Sequence, residues 1–380
     1  MKILAIDDQQ LILLSVEKKL KEIGYDVQTA DTGKSGIELF NSFQPDLVLV
    51  DINMPDMSGL EVVKHIRTAS ESDTPILVMS GNTNEDVIMD GFDLGIDDYL
   101  KKPVSLDEMA ARIKRKVGVP EVNIGKEDHK EETQMLQKNC VGVVIPCYNE
   151  EDRLSSDEFK AFAHKNLGYH LCFVNDGSTD NTLSVLEELK KANPNNISVY
   201  DCEKNGGKAE AVRQGTLHLV KDAQLDYIGF LDADLSTDFR DFDDLVKIIE
   251  TSSFKIVSGS RIARMGADIT KESARAIISL TINKIIQTIL GMPFKDTQCG
   301  AKIMDREIAS LMFQDKFITK WLFDVEIFMR MRKHYGKVEA RKLICEQPLK
   351  RWIHADGSKL SMKDSVKIVG QLGQIAFHYK

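Results

Sequence analysis

The 380-residue chain is short of several things, and each shortage excludes a class of protein. Its six cysteines (140, 147, 172, 202, 299 and 345) include no C-x-x-C pair, which argues against a zinc site and a disulfide framework and leaves them as reduced, structural residues. No internal repeat or low-complexity tract interrupts the chain, so solenoid and linker-rich architectures are excluded. The opening M-K-I-L-A-I-D-D lacks the basic region, long apolar stretch and cleavage site of a signal peptide, which predicts a cytoplasmic protein. Long apolar runs are missing too. The best candidate, residues 276 to 292, is interrupted by Asn283 and Lys284 and is a poor transmembrane span.

What is present fits a soluble protein of two or three domains, with 42% hydrophobic and 29% charged residues. The net charge of −9 is unevenly spread. Residues 1 to 120 carry 13 Lys and Arg against 21 Asp and Glu, whereas residues 261 to 380 carry 22 against 12. A basic C-terminal third of this kind suits phosphate groups or an anionic membrane surface, or forms a solvated face.

In residues 1 to 120, the apolar runs Ile3 to Ile6, Leu47 to Val50 and Ile76 to Met79 alternate with amphipathic stretches such as Leu11 to Ile23. This predicts a parallel sheet covered by helices on both faces. Ligands collect at the carboxyl ends of such strands, which places Asp7, Asp8, Asp51, Ser80 and Lys102 around one point. Clustered carboxylates call for a cation, and Mg²⁺ fits them. The segment resembles response-regulator receiver domains through D-I-N-M-P-D-M-S-G-L (51 to 60) and D-Y-L-K-K-P (98 to 103). That resemblance implies Asp51 as phosphoacceptor, and Asp7, Asp8, Asp51 and the Asn53 carbonyl as Mg²⁺ ligands. Ser80, Tyr99 and Lys102 follow as the phosphorylation-responsive set. A sensor histidine kinase or phosphotransfer protein is the implied partner.

Residues 121 to 138 are polar and read as a linker whose second half, from Lys126 to Lys138, can continue as a short helix. From residue 139, three apolar strands end in Pro146-Cys147-Tyr148-Asn149-Glu150, Asn175-Asp176-Gly177-Ser178 and Asp232-Ala233-Asp234. An Asp-x-Asp pair at the lip of a sheet can reach a divalent cation, which can neutralise a diphosphate leaving group.

Residues 139 to 380 form the second expected domain, which over residues 139 to about 360 resembles family 2 glycosyltransferases of the A-type nucleotide-sugar fold. The resemblance implies that Pro146, Tyr148, Glu150 and Asp176 surround the nucleoside. Asp232 and Asp234 then meet Mg²⁺ or Mn²⁺ and the sugar diphosphate, and Lys208 in K-N-G-G-K-A-E-A-V-R-Q-G (204 to 215) meets the donor. G-S-R (259 to 261), D-T-Q-C-G-A-K (296 to 302), W-L-F-D-V-E (321 to 326), Arg351-Trp352 and Gly357-Ser358-Lys359 look like the dolichyl-phosphate β-glucosyltransferase group. Arg261, Arg275, Gln298 and Arg351 are candidates for the acceptor phosphate, because guanidinium groups bind phosphate in a forked geometry, though surface salt bridges are an equal alternative for the arginines. Trp321, Phe323 and Phe328 read as core. Ile278, Ile282, Ile285, Ile286 and Ile289 share one helical face, suited to a membrane interface or to packing on the enzyme or a second subunit.

The expectation is an α/β protein: a flavodoxin-like receiver with a five-stranded parallel sheet, followed by an A-type glycosyltransferase. It moves glucose from UDP-glucose to a polyprenyl phosphate under phosphorylation control, as a peripheral, homo-oligomeric enzyme that binds no nucleic acid. The rivals are a non-catalytic module that binds a nucleotide sugar or partner, and a transferase with a soluble acceptor. Phosphorylation is expected to change self-association or membrane recruitment more than the chemical step.

Overall fold

The computed structural model describes residues 1–81, 85–120, 134–262, 268–269, 273–352 and 362–379, with side chains at 85–86, 268–269, 273–281 and 362–366 excepted. It divides into two compact units, Met1–Cys140 with Ala161–Tyr169, and Val141–Lys160 with His170–Lys380.

In the first unit, β1 (Lys2–Ile6), β2 (Asp26–Ala30), β3 (Leu47–Asp51), β4 (Ile76–Ser80) and β5 (Asp98–Lys101) form one sheet in the order β2-β1-β3-β4-β5. Every pairing in it is parallel. Helices α1 (Gln10–Ile23), α2 (Gly33–Phe43), α3 (Gly59–Thr68), α4 (Glu85–Asp93) and α5 (Leu106–Val117) intervene. The central strands are apolar along their length because both faces are covered, and L-V-L-V-D of β3 is buried throughout. Helix starts carry their own stops: Ser58 and Glu61 close a capping box on α3, and the Ser105 hydroxyl accepts from the Glu108 amide on α5.

Behind Pro103, β6 (Val104–Ser105) pairs antiparallel with the start of β7 (Met135–Cys147), Val104 opposite Leu136. Met135–Lys138, read from sequence as the end of a helix-capable linker, are therefore strand. Leu136 is fully buried among Val104, Met109 and Leu167, and that burial, with the pairing to β6, outweighs the local helical preference of Q-M-L-Q-K.

The larger sheet runs β14 (Ile344–Pro348), β11 (Ile256–Ser260), β13 (Ala301–Asp305), β10 (Tyr227–Leu231), β7, β8 (Asn166–Asn175), β9 (Ile197–Asp201). β10 is parallel to β7 and antiparallel to β13, so this sheet is mixed. Its helices are α6 (Ser156–Lys165), α7 (Thr182–Ala192), α8 (Lys208–Leu219), α9 (Phe239–Glu250), α10 (Ser273–Leu290), α11 (Arg306–Phe313), α12 (Phe323–Tyr335), α13 (Lys337–Leu343) and α14 (Met362–His378). A two-stranded piece joins β12 (Asp268–Ile269) to β15 (Arg351–Trp352). The first unit thus has the flavodoxin-like five-stranded parallel α/β fold, and the second is an α/β fold around a mixed sheet.

Phe323 and Phe328 are core residues as expected, with Phe328 stacked on Phe294 at 4.3 Å between ring centres. Trp321 is not core; it is 67% exposed, because it precedes α12 in a surface loop whose neighbours Lys320 and Thr319 are held by other contacts. On α10, Ile286 is buried, and Ile282, Ile285 and Ile289 are half-buried; the Ile278 side chain lies outside the described residues. Among the described residues no helix is long and apolar enough to cross a membrane.

Candidate phosphoacceptor and active sites

In the first unit, β1, β3 and β4 end at one lip and deliver Asp7, Asp8, Asp51 and Ser80 there; Lys102 follows β5. The buried Lys102 ammonium bridges two carboxylates, at 2.7 Å from Asp7 and 2.8 Å from Asp51. The second Asp51 oxygen accepts from the Asn53 amide at 2.7 Å, and Asp7 accepts from the Gln9 amide at 2.9 Å. The Tyr99 hydroxyl shares a hydrogen bond with Ser80, which is buried. Burial alone would depress the Lys102 ammonium, but Asp7 and Asp51 more than offset it and hold it above its ordinary value.

Three carboxylates around one ammonium leave excess negative charge. Burial first, then Asp7 and Asp51, push the Asp8 carboxyl up to about 6. Burial also raises Asp51 against the pull of Lys102. Such a pocket fits a hard divalent cation that takes its remaining ligands from water and phosphate oxygens. Among the described residues, no group of three or more His, Cys, Asp or Glu side chains is placed as a preformed metal site. Mg²⁺ does not need one.

In the second unit, β7 ends at Cys147, β8 at Asn175 and β10 at Leu231, so Tyr148, Glu150, Asp176, Asp232 and Asp234 stand beyond neighbouring strand ends. Pro146 is the penultimate residue of β7. Asp176 does not point its carboxylate at open space: its two oxygens accept from the Gly206 and Gly207 amides at 2.8 and 2.9 Å. It thereby fixes the turn into α8, whose first residue, Lys208, donates to Asp232. Asp232 raises Lys208 despite the burial that opposes it. Asp234 is exposed and accepts from the Ser236 amide at 3.0 Å. Burial pushes the Glu150 carboxyl up, aided by Asp234 and opposed by Arg153, so Glu150 and Asp234 lie within electrostatic reach of each other. Gly300 leaves room for the Asp232 carboxylate where it stands, since a Cβ there would come within 1.9 Å of one of its oxygens.

Two family models match the chain: Response regulator receiver domain over residues 3–114 and Glycosyl transferase family 2 over residues 142–313. A dolichyl-phosphate beta-glucosyltransferase of Dictyostelium discoideum is 30% identical over 273 residues, which is 67% of this chain and 80% of that protein. The chain belongs to glycosyl transferase family 2. Its receiver is similar to the cell cycle transcriptional regulator CtrA of Caulobacter vibrioides, 41% identical over 113 residues, 30% of this chain and about half (48%) of that regulator. It is also similar to the crystallised chemotaxis protein CheY4 of Vibrio cholerae, 32% identical over 30% of this chain and 97% of that one, with a TM-score of 0.29.

Within this family 2 glycosyltransferase, the acceptor candidates are the least gathered. The Arg261 fork is engaged by Asp296 through two contacts of 2.8 Å, and its backbone amide donates to the same carboxylate. Arg351 pairs with Asp238 at 3.2 Å. The Gln298 backbone N–H donates to the Asp296 carboxylate at 3.3 Å. The Arg275 side chain and residues 357 to 359 lie outside the described residues. A phosphate bound by Arg261 or Arg351 would compete with those carboxylates.

One pair went unread in the sequence. Lys302, fully buried in β13, forms an ion pair of 2.7 Å with Asp324 at the start of α12 and donates to the Cys299 carbonyl. Asp324 is close enough to Asp232 and Lys208 to feel both. The available signal was a lysine in the otherwise apolar run A-K-I-M, opposite Phe230 of β10.

Proposed function

We propose that this glycosyltransferase moves glucose from UDP-glucose to a polyprenyl phosphate, and that phosphorylation of Asp51 by a histidine kinase or phosphotransfer protein sets its activity. The observation that carries the reading is Asp232 locked to Lys208 at the lip of the sheet, with the exposed Asp234 two residues on. The activity for which the Dictyostelium relative is named suggests the sugar and the lipid class.

The reaction read from this site is a single inverting displacement. An acceptor phosphate oxygen is already an anion near neutral pH and needs no general base to attack the anomeric carbon. The bond from that carbon to the UDP oxygen breaks as the new one forms, and the diphosphate leaves with the electron pair. Mg²⁺ or Mn²⁺ bound by Asp232 and Asp234 would supply charge neutralisation to that diphosphate. Lys208 places a cation beside Asp232, Asp176 holds the Gly206-Gly207 turn in place, and Pro146, Tyr148 and Glu150 line the nucleoside end. In the receiver, Asp7, Asp8 and Asp51 with the Asn53 carbonyl would hold Mg²⁺ while Lys102 and Ser80 hold the phosphoryl oxygens. Docking at an anionic membrane surface through the basic C-terminal third would bring the enzyme to its lipid acceptor.

Competition calorimetry with UDP-glucose, UDP, GDP-mannose and GDP, with and without Mn²⁺, tests the donor assignment. Metal-dependent binding of the two uridine ligands is expected. Preferential binding of the guanosine pair would overturn the choice of donor.

A further inference from the structure

Two strands of the transferase sheet begin within the receiver unit. Residues of β7 up to Cys140 belong to the first unit and the rest to the second. β8 divides in the same way between Tyr169 and His170. Beyond their far ends stand Tyr148-Asn149-Glu150 and Asp176, all assigned here to the nucleotide site.

The start of β7 rests on two backbone segments, and each directly follows a residue at the phosphoacceptor lip. Behind Ser80 is Gly81, buried under the Lys138 stem: a Cβ at position 81 would lie 2.2, 2.5 and 2.6 Å from Lys138 Cγ, Cδ and Cε. Behind Lys102 is the Val104–Ser105 strand, which pairs with Leu136 and Met135. The Leu106 amide adds a bond of 3.0 Å to the Gln134 carbonyl. β8 is tied to the same strand, since Gln137 donates to Asn166 at 3.3 Å and Gly168 packs on the Gln137 side chain.

A phosphoryl group on Asp51 would put about 1.5 to 2 negative charges where the carboxylate has one, a net gain of about 0.5 to 1, and would place them on oxygens further from the strand end. The site already shares its Lys102 ammonium between Asp7 and Asp51, so new phosphoryl oxygens must draw on the same ammonium and on the Ser80 hydroxyl. Ser80 is followed directly by Gly81, and Lys102 reaches Val104 through Pro103 alone, so a backbone shift at either is handed to close-packed neighbours.

We infer that Met135–Lys138 read the phosphoacceptor site: charge on Asp51 shifts Ser80–Gly81 and Lys102–Val104, and the shift passes along β7 to Tyr148–Glu150 and along β8 to Asp176. The inference rests on the reading of Asp51 as phosphoacceptor and of those strand ends as nucleotide-binding. Regulation is then internal to one chain, carried along β7 and β8. Self-association and membrane recruitment are not required.

The test is hydrogen exchange followed by mass spectrometry on the full chain, with and without beryllofluoride plus Mg²⁺. Wild type and Lys138→Ala are compared, and beryllofluoride binding to each is measured separately by fluorine NMR. In wild type, exchange should change by about fivefold or more both in the peptide covering Gln134–Lys138 and in that covering Val144–Glu150. In Lys138→Ala beryllofluoride should still bind, and the change at Val144–Glu150 should fall below about twofold. The inference is overturned if Val144–Glu150 is indifferent to bound beryllofluoride in wild type, or responds equally in Lys138→Ala. UDP affinity is measured on the same samples. A chain that binds no UDP in any state removes the transferase reading, while the exchange result still decides the coupling.

Discussion

Lys302 and Asp324 stand 2.7 Å apart with both side chains almost entirely removed from water, directly behind the aspartate that meets Lys208. Burial pushes the Asp324 carboxyl up and Lys302 opposes that rise. Removing one partner leaves an uncompensated buried charge, which costs about 3–5 kcal/mol. Lys302→Met should therefore lower the urea midpoint strongly, and the double variant Lys302→Met/Asp324→Leu should recover most of the loss. Equal midpoints for the single and double variants would show that the pair contributes no such coupling.

Asp51→Asn should abolish incorporation of a phosphoryl group from acetyl phosphate with Mg²⁺, read by intact mass. Asp51 ends β3 with one oxygen on Lys102 and the other on the Asn53 amide, the geometry of a held nucleophile. Equal labelling of wild type and variant would remove Asp51 as the acceptor.

Gly300→Ala places a methyl group 1.9 Å from an Asp232 oxygen unless the carboxylate moves. A displacement of about 1 Å at a catalytic group costs on the order of 10²-fold in rate. Turnover should fall by that order, with retained far-UV circular dichroism. Unchanged turnover would mean that Asp232 is not held where the chemistry needs it.

His170 tests the electrostatics away from the active site. Burial depresses its pKa below the ordinary 6.5, and its Nε2 lies 2.8 Å from the Ser198 hydroxyl. As pH falls through 6.5 the unfolded chain takes up a proton that the folded chain refuses, so stability is lost on the acid side and unaffected above it. The drop in Tm between about pH 7.5 and pH 5.5 should be larger for wild type than for His170→Gln. Identical drops would place the acid sensitivity elsewhere.

Much of this was legible in the sequence because strand ends in parallel sheets are where polar residues gather. Asp7, Asp8, Asp51, Ser80 and Lys102 fall where the apolar runs stop, and they converge in the structure as that rule requires. The β7 start was not legible: Q-M-L-Q-K favours helix locally, and only burial of Leu136 against Val104 makes it strand. Arg261 reads from sequence equally as a phosphate ligand or a salt-bridge partner, and the carboxylate that engages it, Asp296, lies 35 residues further on, a distance no local pattern reveals. Trp321 was read as core from its size, whereas its position just ahead of α12 leaves it in solvent.

The central claim is the transfer itself. Organic extraction after incubating the chain with radiolabelled UDP-glucose, Mn²⁺ and a polyprenyl phosphate measures it directly, with Asp234→Ala in parallel. The account predicts label in the lipid phase for wild type and a loss of about 10²-fold or more in the variant, since the leaving diphosphate then lacks its cation. Lipid-phase label of equal amount in wild type and Asp234→Ala, or none in wild type, would contradict it.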